Sequence, residues 1–284
     1  MSSFYEENNF EIRQDAIEYL ESEILDVVED PRLKECGERL KAELEQIDRI
    51  LFARLRTDLK PGRLRKVIGE YVGVSTGGAG YDNLDIFVNL LLGTTELPTR
   101  LVTLEPEMVE FHKTPAKVIL ELTDTHRFTS SDIFYDLGSG LGQVAILVHL
   151  LTGIPSRGIE IEPAYCEYAR GNAAALQLSE VLFIHADART ADFSEGTVFY
   201  MYTPFTGEIM ATVLKRLRAE SVRRPISIFT YGPCSVEVAQ SGWFQGPKDL
   251  SGLCLFTGST SGDNIIYRDF PGHRFSHMDH PGKP

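Results

Sequence analysis

The sequence predicts an α/β protein in which an N-terminal helical domain precedes a mostly parallel seven-stranded sheet with an antiparallel last strand. Three observations lead to this prediction. Residues 10–59 carry apolar side chains at the three- and four-residue spacing of amphipathic helices. From residue 131 onward, short apolar strands alternate with helical segments, which is typical of crossovers in a parallel sheet. A glycine-rich turn, residues 138–142, joins the first of these strands to its helix.

Three segments of the 284-residue chain differ in character. Residues 1–103 are expected to form a helical N-terminal cap domain, residues 104–270 the α/β domain, and residues 271–284 a polar C-terminal tail. The composition is 43% hydrophobic and 24% charged, which is typical of a chain that buries a sizeable core.

Capping signals divide the N-terminal domain into helices. Asp30-Pro31 places a capping side chain before a proline at the first helical position, so two helices meet there. Gly93 is expected to close a short buried helix over residues 82–93. The glycine-rich stretch 75–83, with Tyr81 near its end, is a candidate lid.

The α/β domain alternates strands and helices in a regular order. Residues 243–270 are typical of an antiparallel pair that completes the sheet and gives seven strands. The remaining strands are predicted over residues 132–138, 156–162, 181–187, 197–204 and 225–233, and helices over residues 115–122, 142–153, 163–178 and 207–220.

Charge and cysteine content exclude several classes of function. The formal charge of −13 and the pI near 5.0 disfavour direct nucleic-acid binding and favour a basic protein segment or a small molecule as partner. No apolar run reaches the roughly 18 residues needed to span a bilayer, so no membrane association is expected. The four cysteines show no CxxC spacing, which argues against a metal site. The expectation is a cytoplasmic protein without a bound metal.

The turn after the first strand indicates the class of ligand. A dinucleotide-binding turn, G-x-G-x-x-G, uses its third glycine for close packing of helix on strand, and here that position is Gln143. Asp136 precedes Gly138 by two residues, and a carboxylate there repels a pyrophosphate but holds an ammonium group. S-adenosylmethionine, with a positively charged amino-acid end and no phosphates, fits this description.

The next two strands end in carboxylates that suit the rest of the same ligand. Glu160 is placed to bind both ribose hydroxyls, and Glu162 is expected to point the other way by strand alternation. Asp187 is placed to accept a hydrogen bond from the adenine amino group, with Ala186 and Ala188 leaving room for the ring. Three carboxylates at successive strand ends favour S-adenosylmethionine over other nucleotide ligands.

The run DLGSGLGQV at 136–144, followed by the strand GIE at 158–160, resembles the class I S-adenosylmethionine-dependent methyltransferases and their Rossmann-like fold. More narrowly, the run is similar to that of the non-SET lysine methyltransferases of the disruptor-of-telomeric-silencing type. The stretch HKTPAKVI at 112–119 resembles a T-P segment that packs over the methionine end of the cofactor in bacterial relatives. Together with the reasoning above, the resemblance implies a cofactor-binding role for Thr114, Asp136, Gly138, Ser139, Gly140, Gly142, Gln143, Glu160, Asp187 and Ala188.

The end of the fourth strand is expected to contact the methyl acceptor. Residues 202–205, Tyr-Thr-Pro-Phe, stand where the resemblance places N/D-P-P-Y/F in amine methyltransferases and N-N-F-x-F in the lysine family. Phe205 matches the final aromatic residue, but the asparagines are absent. Tyr202 and Phe205 are candidate catalytic residues because aromatic walls strip water from an amine. Tyr231, at the end of the fifth strand, is a third candidate or a residue packed under a loop.

Three functions remain open at this stage. The first is methyl transfer to a nitrogen, on a protein lysine side chain, and the second is methylation of a nitrogen or oxygen of a small molecule. The third is a binding module that retains the cofactor without turnover.

Overall fold

The computed structural model describes residues 3–7, 9–72, 82–93 and 97–258. Residues 75–81 of the suggested lid, Tyr81 among them, and the C-terminal tail 271–284 lie outside these residues. The N-terminal part is helical, and its elements are a 3-10 turn at Ser3–Tyr5, α1 at Phe10–Tyr19, a π-helical segment at Leu20–Leu25, α2 at Pro31–Asp58, α3 at Leu64–Tyr71 and α4 at Asn83–Leu92.

The predicted helix boundaries are confirmed by their caps. The Asp30 side chain accepts a hydrogen bond from the Arg32 N–H, with Pro31 at the first helical position of α2. Helix α4 ends at Leu92 and is capped by Gly93, which has φ of +69°. The sequence did not predict α3, because its basic residues hid the spacing of its buried residues, Leu64 and Ile68.

The described part of the α/β domain contains one sheet of six strands in the order β3-β2-β1-β4-β5-β6. Neighbouring strands are parallel, except that β6 is antiparallel to β5. The strands are β1 at Phe134–Leu137, β2 at Ser156–Glu160, β3 at Val181–His185, β4 at Val198–Met201, β5 at Ile226–Thr230 and β6 at Cys254–Gly258. The helices are α5 at Ala116–Thr125, α6 at Gln143–Thr152, α7 at Pro163–Ala175, α8 at Gly207–Arg223 and α9 at Cys234–Gln240.

The predicted seventh strand is reduced to a single bridge in the described residues. Gln245 exchanges two backbone hydrogen bonds with Thr257 of β6, in the antiparallel sense. The pairing goes no further because Pro247 has no N–H to donate. Gly246 also packs so closely on Phe256 that a Cβ atom would lie 2.2 Å from the ring. The described residues therefore hold six strands, and residues 259–270 of the predicted pair lie outside them.

Two apolar clusters lie on the two sides of the sheet. On one side, Phe10, Phe52 and Phe87 pack edge to face in the N-terminal helices, with ring centroids 5.1 to 5.8 Å apart. This group is continuous with buried residues of α5, α6 and α7. The other cluster joins the sheet to α8 and α9. The carboxyl ends of the parallel strands are thereby held at one edge, between two packed layers.

Among the described residues, no helix combines the length and apolar character needed to cross a bilayer.

Candidate active site

A cleft of about 1060 Å³, including its open mouth, lies at the carboxyl ends of β1, β2 and β4. One wall is formed by residues 97–114, the segment before α5, which we call the strap. Ten of the predicted site residues line the cleft: Thr114, Asp136, Gly138, Ser139, Gln143, Glu160, Asp187, Ala188, Tyr202 and Phe205. Gly140, Gly142 and Tyr231 do not line it.

The glycine turn is packed on both sides by the rest of the site. Gly138 has φ of +82°, and a Cβ atom there would lie 2.4 Å from the Cβ atom of Pro204. Gly140 has φ of +51°, and a Cβ atom there would lie 2.2 Å from the Phe111 ring of the strap. Glycine is therefore required at both positions by backbone conformation and by space. The turn contacts the β4 loop through Gly138 and the strap through Gly140.

Asp136 is a buried carboxylic acid facing the cleft, with 3% of its surface exposed. Burial, together with the nearby Glu160 carboxylate, raises its pKa to about 8. Among the described residues, Asp136 Oδ2, Ser139 Oγ and Gln143 Oε1 are buried acceptors with no hydrogen-bond partner. An ammonium group carries three donors and a charge opposite to that of the aspartate. The amino-acid end of S-adenosylmethionine therefore fits this set of side chains.

Tyr200 was missed by the sequence reasoning. It lies opposite Asp136 in the β1–β4 pairing and lines the cleft, although only 1% of its surface is exposed. Its hydroxyl is 3.1 Å from Thr114 Oγ1, and burial raises its pKa well above the usual range. Gln143 Nε2 donates to the Thr114 carbonyl at 2.8 Å. The sequence signal for it was a tyrosine within an otherwise apolar strand. A buried tyrosine hydroxyl needs a hydrogen-bond partner, which indicates a polar site nearby.

Glu160 has a backbone role in addition to the predicted ribose contact. Its Oε2 accepts the Gly140 N–H at 2.7 Å, and its Oε1 accepts the Glu162 N–H at 2.8 Å. Burial raises the pKa of this carboxyl, although the backbone hydrogen bonds favour the charged form. Glu160 thus ties the glycine turn to the end of β2. The ribose contact stays a prediction.

Asp187 is engaged by an arginine that the sequence reasoning did not consider. The Arg189 guanidinium binds both Asp187 oxygens, with Nη2 2.6 Å and Nε 2.9 Å from Oδ2, and holds the pKa of this carboxyl below its usual range. Arg189 also binds Glu105 of the strap at 2.6 Å. The adenine contact of Asp187 stays a prediction, in which the purine amino group shares this carboxylate with Arg189.

Glu162 lines the cleft, contrary to the expectation that it points away. Strand alternation does not apply to it, because β2 ends at Glu160 and Glu162 is the capping residue of α7. Its Oε2 accepts the N–H groups of Leu101 and Val102 at 3.0 and 2.9 Å, while its Oε1 accepts the Ala164 N–H at 3.1 Å. Glu162 therefore fastens the strap to the sheet.

The turn 202–205 forms the far end of the cleft. Phe205 pairs with Met108 of the strap in an antiparallel bridge, and Val109 N–H donates to the Pro204 carbonyl at 3.1 Å. Tyr231 packs behind Tyr202, with ring centroids 4.9 Å apart. The structure thus brings Tyr202 and Phe205 to the cleft and places Tyr231 one layer further back.

Glu162→Gln is expected to loosen the strap, because an amide has one acceptor oxygen where the carboxylate has two. We expect the Leu101 and Val102 amides to exchange with deuterium about tenfold faster, as loss of one net hydrogen bond to a charged group predicts. Hydrogen exchange read by mass spectrometry measures this. Glu167→Gln on α7, which removes an exposed ion pair with Arg170 and leaves the strap untouched, is the control. Equal exchange rates in both variants would show that Glu162 does not hold the strap.

Residues 111–197 match the family model described as histone methylation protein DOT1. The match includes the glycine turn, Glu160 and Asp187, and it ends before the turn 202–205. No curated protein sequence matches the chain.

Solved structures similar to this chain include three methyltransferases. An RNA methyltransferase from Salinibacter ruber, in complex with S-adenosyl-L-homocysteine, is 26% identical over 56% of this chain and 100% of its own, with a TM-score of 0.39. A SAM-dependent methyltransferase from Thiobacillus denitrificans, with the same ligand, is 27% identical over 41% of this chain and 48% of its own, with a TM-score of 0.35. Precorrin-6y C5,15-methyltransferase from Geobacter metallireducens GS-15 is 16% identical over 54% of this chain and 93% of its own, with a TM-score of 0.40.

Proposed function

We propose that this chain, a class I S-adenosylmethionine-dependent methyltransferase with a DOT1-like core, transfers the methyl group to the nitrogen of a protein lysine side chain. The observation that carries the proposal is the contact between Pro204 and Gly138. It sets the turn 202–205 directly against the turn assigned to the cofactor. An acceptor held by Tyr202 and Phe205 is therefore next to the methyl donor.

The cofactor supplies an electrophilic methyl group on a sulfonium, and the protein supplies its binding and orientation. Asp136, Ser139 and Gln143 offer acceptors to the ammonium group, and Glu160 offers carboxylate lone pairs to the ribose. The strap contributes Thr114, whose hydroxyl is paired with that of Tyr200. The side chains of this set are buried, so their positions are fixed before the ligand arrives.

The acceptor end is suited to an amine that reacts in its neutral form. Phe205 is 6% exposed and Met108 faces it from the strap, so water is largely excluded there. Burial favours the neutral form of a lysine amine, because desolvation penalises its charge. Burial also raises the pKa of Tyr202, so its hydroxyl stays protonated and offers a lone pair to an amine N–H. Alignment of amine and methyl is then the main source of rate enhancement.

Two further features support a protein acceptor. The family model that matches residues 111–197 is described as a histone methylation protein, and the substrate in that description is itself a protein. The chain also carries a formal charge of −13, which favours association with a basic protein segment.

A partition experiment tests the acceptor class. The protein is incubated with S-adenosylmethionine labelled at the methyl group and with a cell extract divided into protein and small-molecule fractions. We expect label in the protein fraction, and we expect it to be lost when the lysines of the extract are first blocked by acetylation, which converts each amine to a non-nucleophilic amide. Label in the small-molecule fraction, or label in lysine-blocked protein, would contradict the proposal.

A small-molecule acceptor is the alternative, and the strap favours it. The strap is fastened at Glu162, at Arg189 and at the Met108–Phe205 bridge, which narrows the route by which a large substrate reaches Tyr202. The small-molecule fraction of the same experiment tests this alternative.

A further inference from the structure

The turn 202–205 contains an unfavourable backbone conformation. Thr203 has φ of +40°, and among the described residues only Gln177, at +55°, is another non-glycine residue with positive φ. A β-branched side chain clashes with its own backbone in this region. Such a conformation persists only where the surrounding structure determines it, and it is concentrated at functional sites.

The loop after β5 holds Thr203 in this conformation. Thr203 N–H donates to Cys234 Sγ at 3.3 Å, and Cys234 N–H donates to Thr203 Oγ1 at 3.2 Å. The Thr203 hydroxyl in turn donates to the Tyr231 carbonyl at 3.3 Å. Gly232 lies so close that a Cβ atom there would be 3.0 Å from Thr203 Oγ1. The hydroxyl and the N–H of Thr203 are thus both used to fix its backbone.

The residues on either side of Thr203 line the cleft at the end proposed for the acceptor. Tyr202 precedes it, and Pro204 and Phe205 follow it, with Pro204 packed on Gly138. Rotation of the Thr203 backbone to an ordinary negative φ would therefore displace Tyr202 relative to Phe205. We propose that Thr203 is a positioning residue, whose left-handed backbone orients Tyr202 and Phe205 toward the methyl end of the cofactor. This proposal rests on the acceptor end assigned under the proposed function.

The test uses S-adenosylmethionine carrying ¹³C at the methyl group, bound to the protein without an acceptor. Ring currents of two aromatic walls shift the resonance of a methyl group beside them. We expect Thr203→Val, which loses the hydroxyl, to move this resonance, while the Kd for the cofactor stays within about twofold. Turnover measured with the extract is expected to fall at least about tenfold, without a parallel change in cofactor affinity. Thr203→Ser keeps the hydroxyl and is expected to restore the resonance and most of the turnover.

Two further variants keep the test decisive. Thr203→Gly removes the steric clash, so the protein should fold. It also removes the hydroxyl that fixes the backbone of the turn, so we expect the methyl resonance to move again. Gln177→Gly makes the same change after α7, at the other non-glycine residue with positive φ in the described part of the chain, and is expected to leave the resonance unchanged. An unchanged resonance in a folded Thr203→Val variant would overturn the proposal, as would a Thr203→Ser variant that behaves like Thr203→Val. The methyl resonance is measured without an acceptor, so it tests the role of Thr203 alone. Absence of label on lysine in the extract experiment would overturn only the proposed function.

Discussion

Replacing Asp136 with asparagine is expected to weaken binding of S-adenosylmethionine by at least about 100-fold while the protein stays folded. Asparagine has the shape of the aspartate but carries no charge, so the ammonium group of the cofactor loses its buried counter-ion. Isothermal titration calorimetry at neutral pH measures the affinity. Asp192→Asn, an exposed aspartate outside the cleft, is the matched control and should bind the cofactor as the parent protein does.

The same aspartate predicts how the stability of the unliganded protein depends on pH. Its pKa is about 8 in the folded protein, against an ordinary value of 3.8, so the folded state binds this proton more tightly than the unfolded state. The contribution of Asp136 to the free energy of unfolding therefore falls as pH rises from about 4 to about 8. Asp136→Asn should remove this decline and raise the melting temperature above pH 8. Cofactor affinity of the parent should rise between about pH 6 and about pH 8, because binding needs the charged carboxylate.

A variant Asp136→Asn that binds the cofactor with undiminished affinity would remove Asp136 from the site. A melting temperature that depends on pH in the same way in the parent and in the variant would show that the aspartate is charged before the cofactor binds.

Changes at the acceptor end are expected to separate methyl transfer from cofactor binding. Phe205→Leu should lower kcat by roughly 100-fold, because the wall that aligns the amine is displaced. Tyr202→Phe should lower kcat by roughly tenfold, through loss of the hydroxyl lone pair. In both variants the Kd for the cofactor is expected to stay within a few-fold of the parent value. Single-turnover label transfer and calorimetry give the two quantities.

Phe193→Leu is the control for loss of a buried aromatic ring, because Phe193 lies in the apolar cluster on the α8 side of the sheet and does not line the cleft. Its kcat should be close to that of the parent. Equal losses of kcat and of cofactor affinity in Phe205→Leu would assign Phe205 to the scaffold and not to the acceptor site.

The residues proposed for the cofactor end of the cleft could be brought together from the sequence more readily than those proposed for the acceptor end. A short glycine turn joins Asp136 to Gln143. The local chain geometry therefore brings these two side chains close together without help from distant segments. Parallel strands bring their carboxyl ends to one edge, so Glu160 and Asp187 could be placed from strand order alone. The positions of these four side chains follow from local chain geometry or from the strand order.

Contacts between distant segments could not be predicted in this way. The attachment of Glu162 to Leu101 joins residues 61 positions apart and depends on the path of the strap. The Thr114–Tyr200 pair spans 86 positions. The stretch before β6 forms only a bridge for a different reason, since Gln245 pairs with Thr257 but Gly246 and Pro247 end the pairing at once. Long-range packing and local turn chemistry thus account for what the sequence reasoning missed.

Amino-acid analysis of labelled protein tests the central claim most directly. Extract protein labelled by the enzyme from methyl-labelled S-adenosylmethionine is hydrolysed in acid, and the radioactive residues are separated by chromatography. We predict that the label elutes with methylated lysines and that Asp136→Asn enzyme produces none of it. Label that elutes with methylated arginine or methylated histidine would contradict the assignment of a lysine nitrogen as the methyl acceptor. Label that mild base releases from the protein before hydrolysis would also contradict it, because that behaviour is typical of a carboxyl methyl ester.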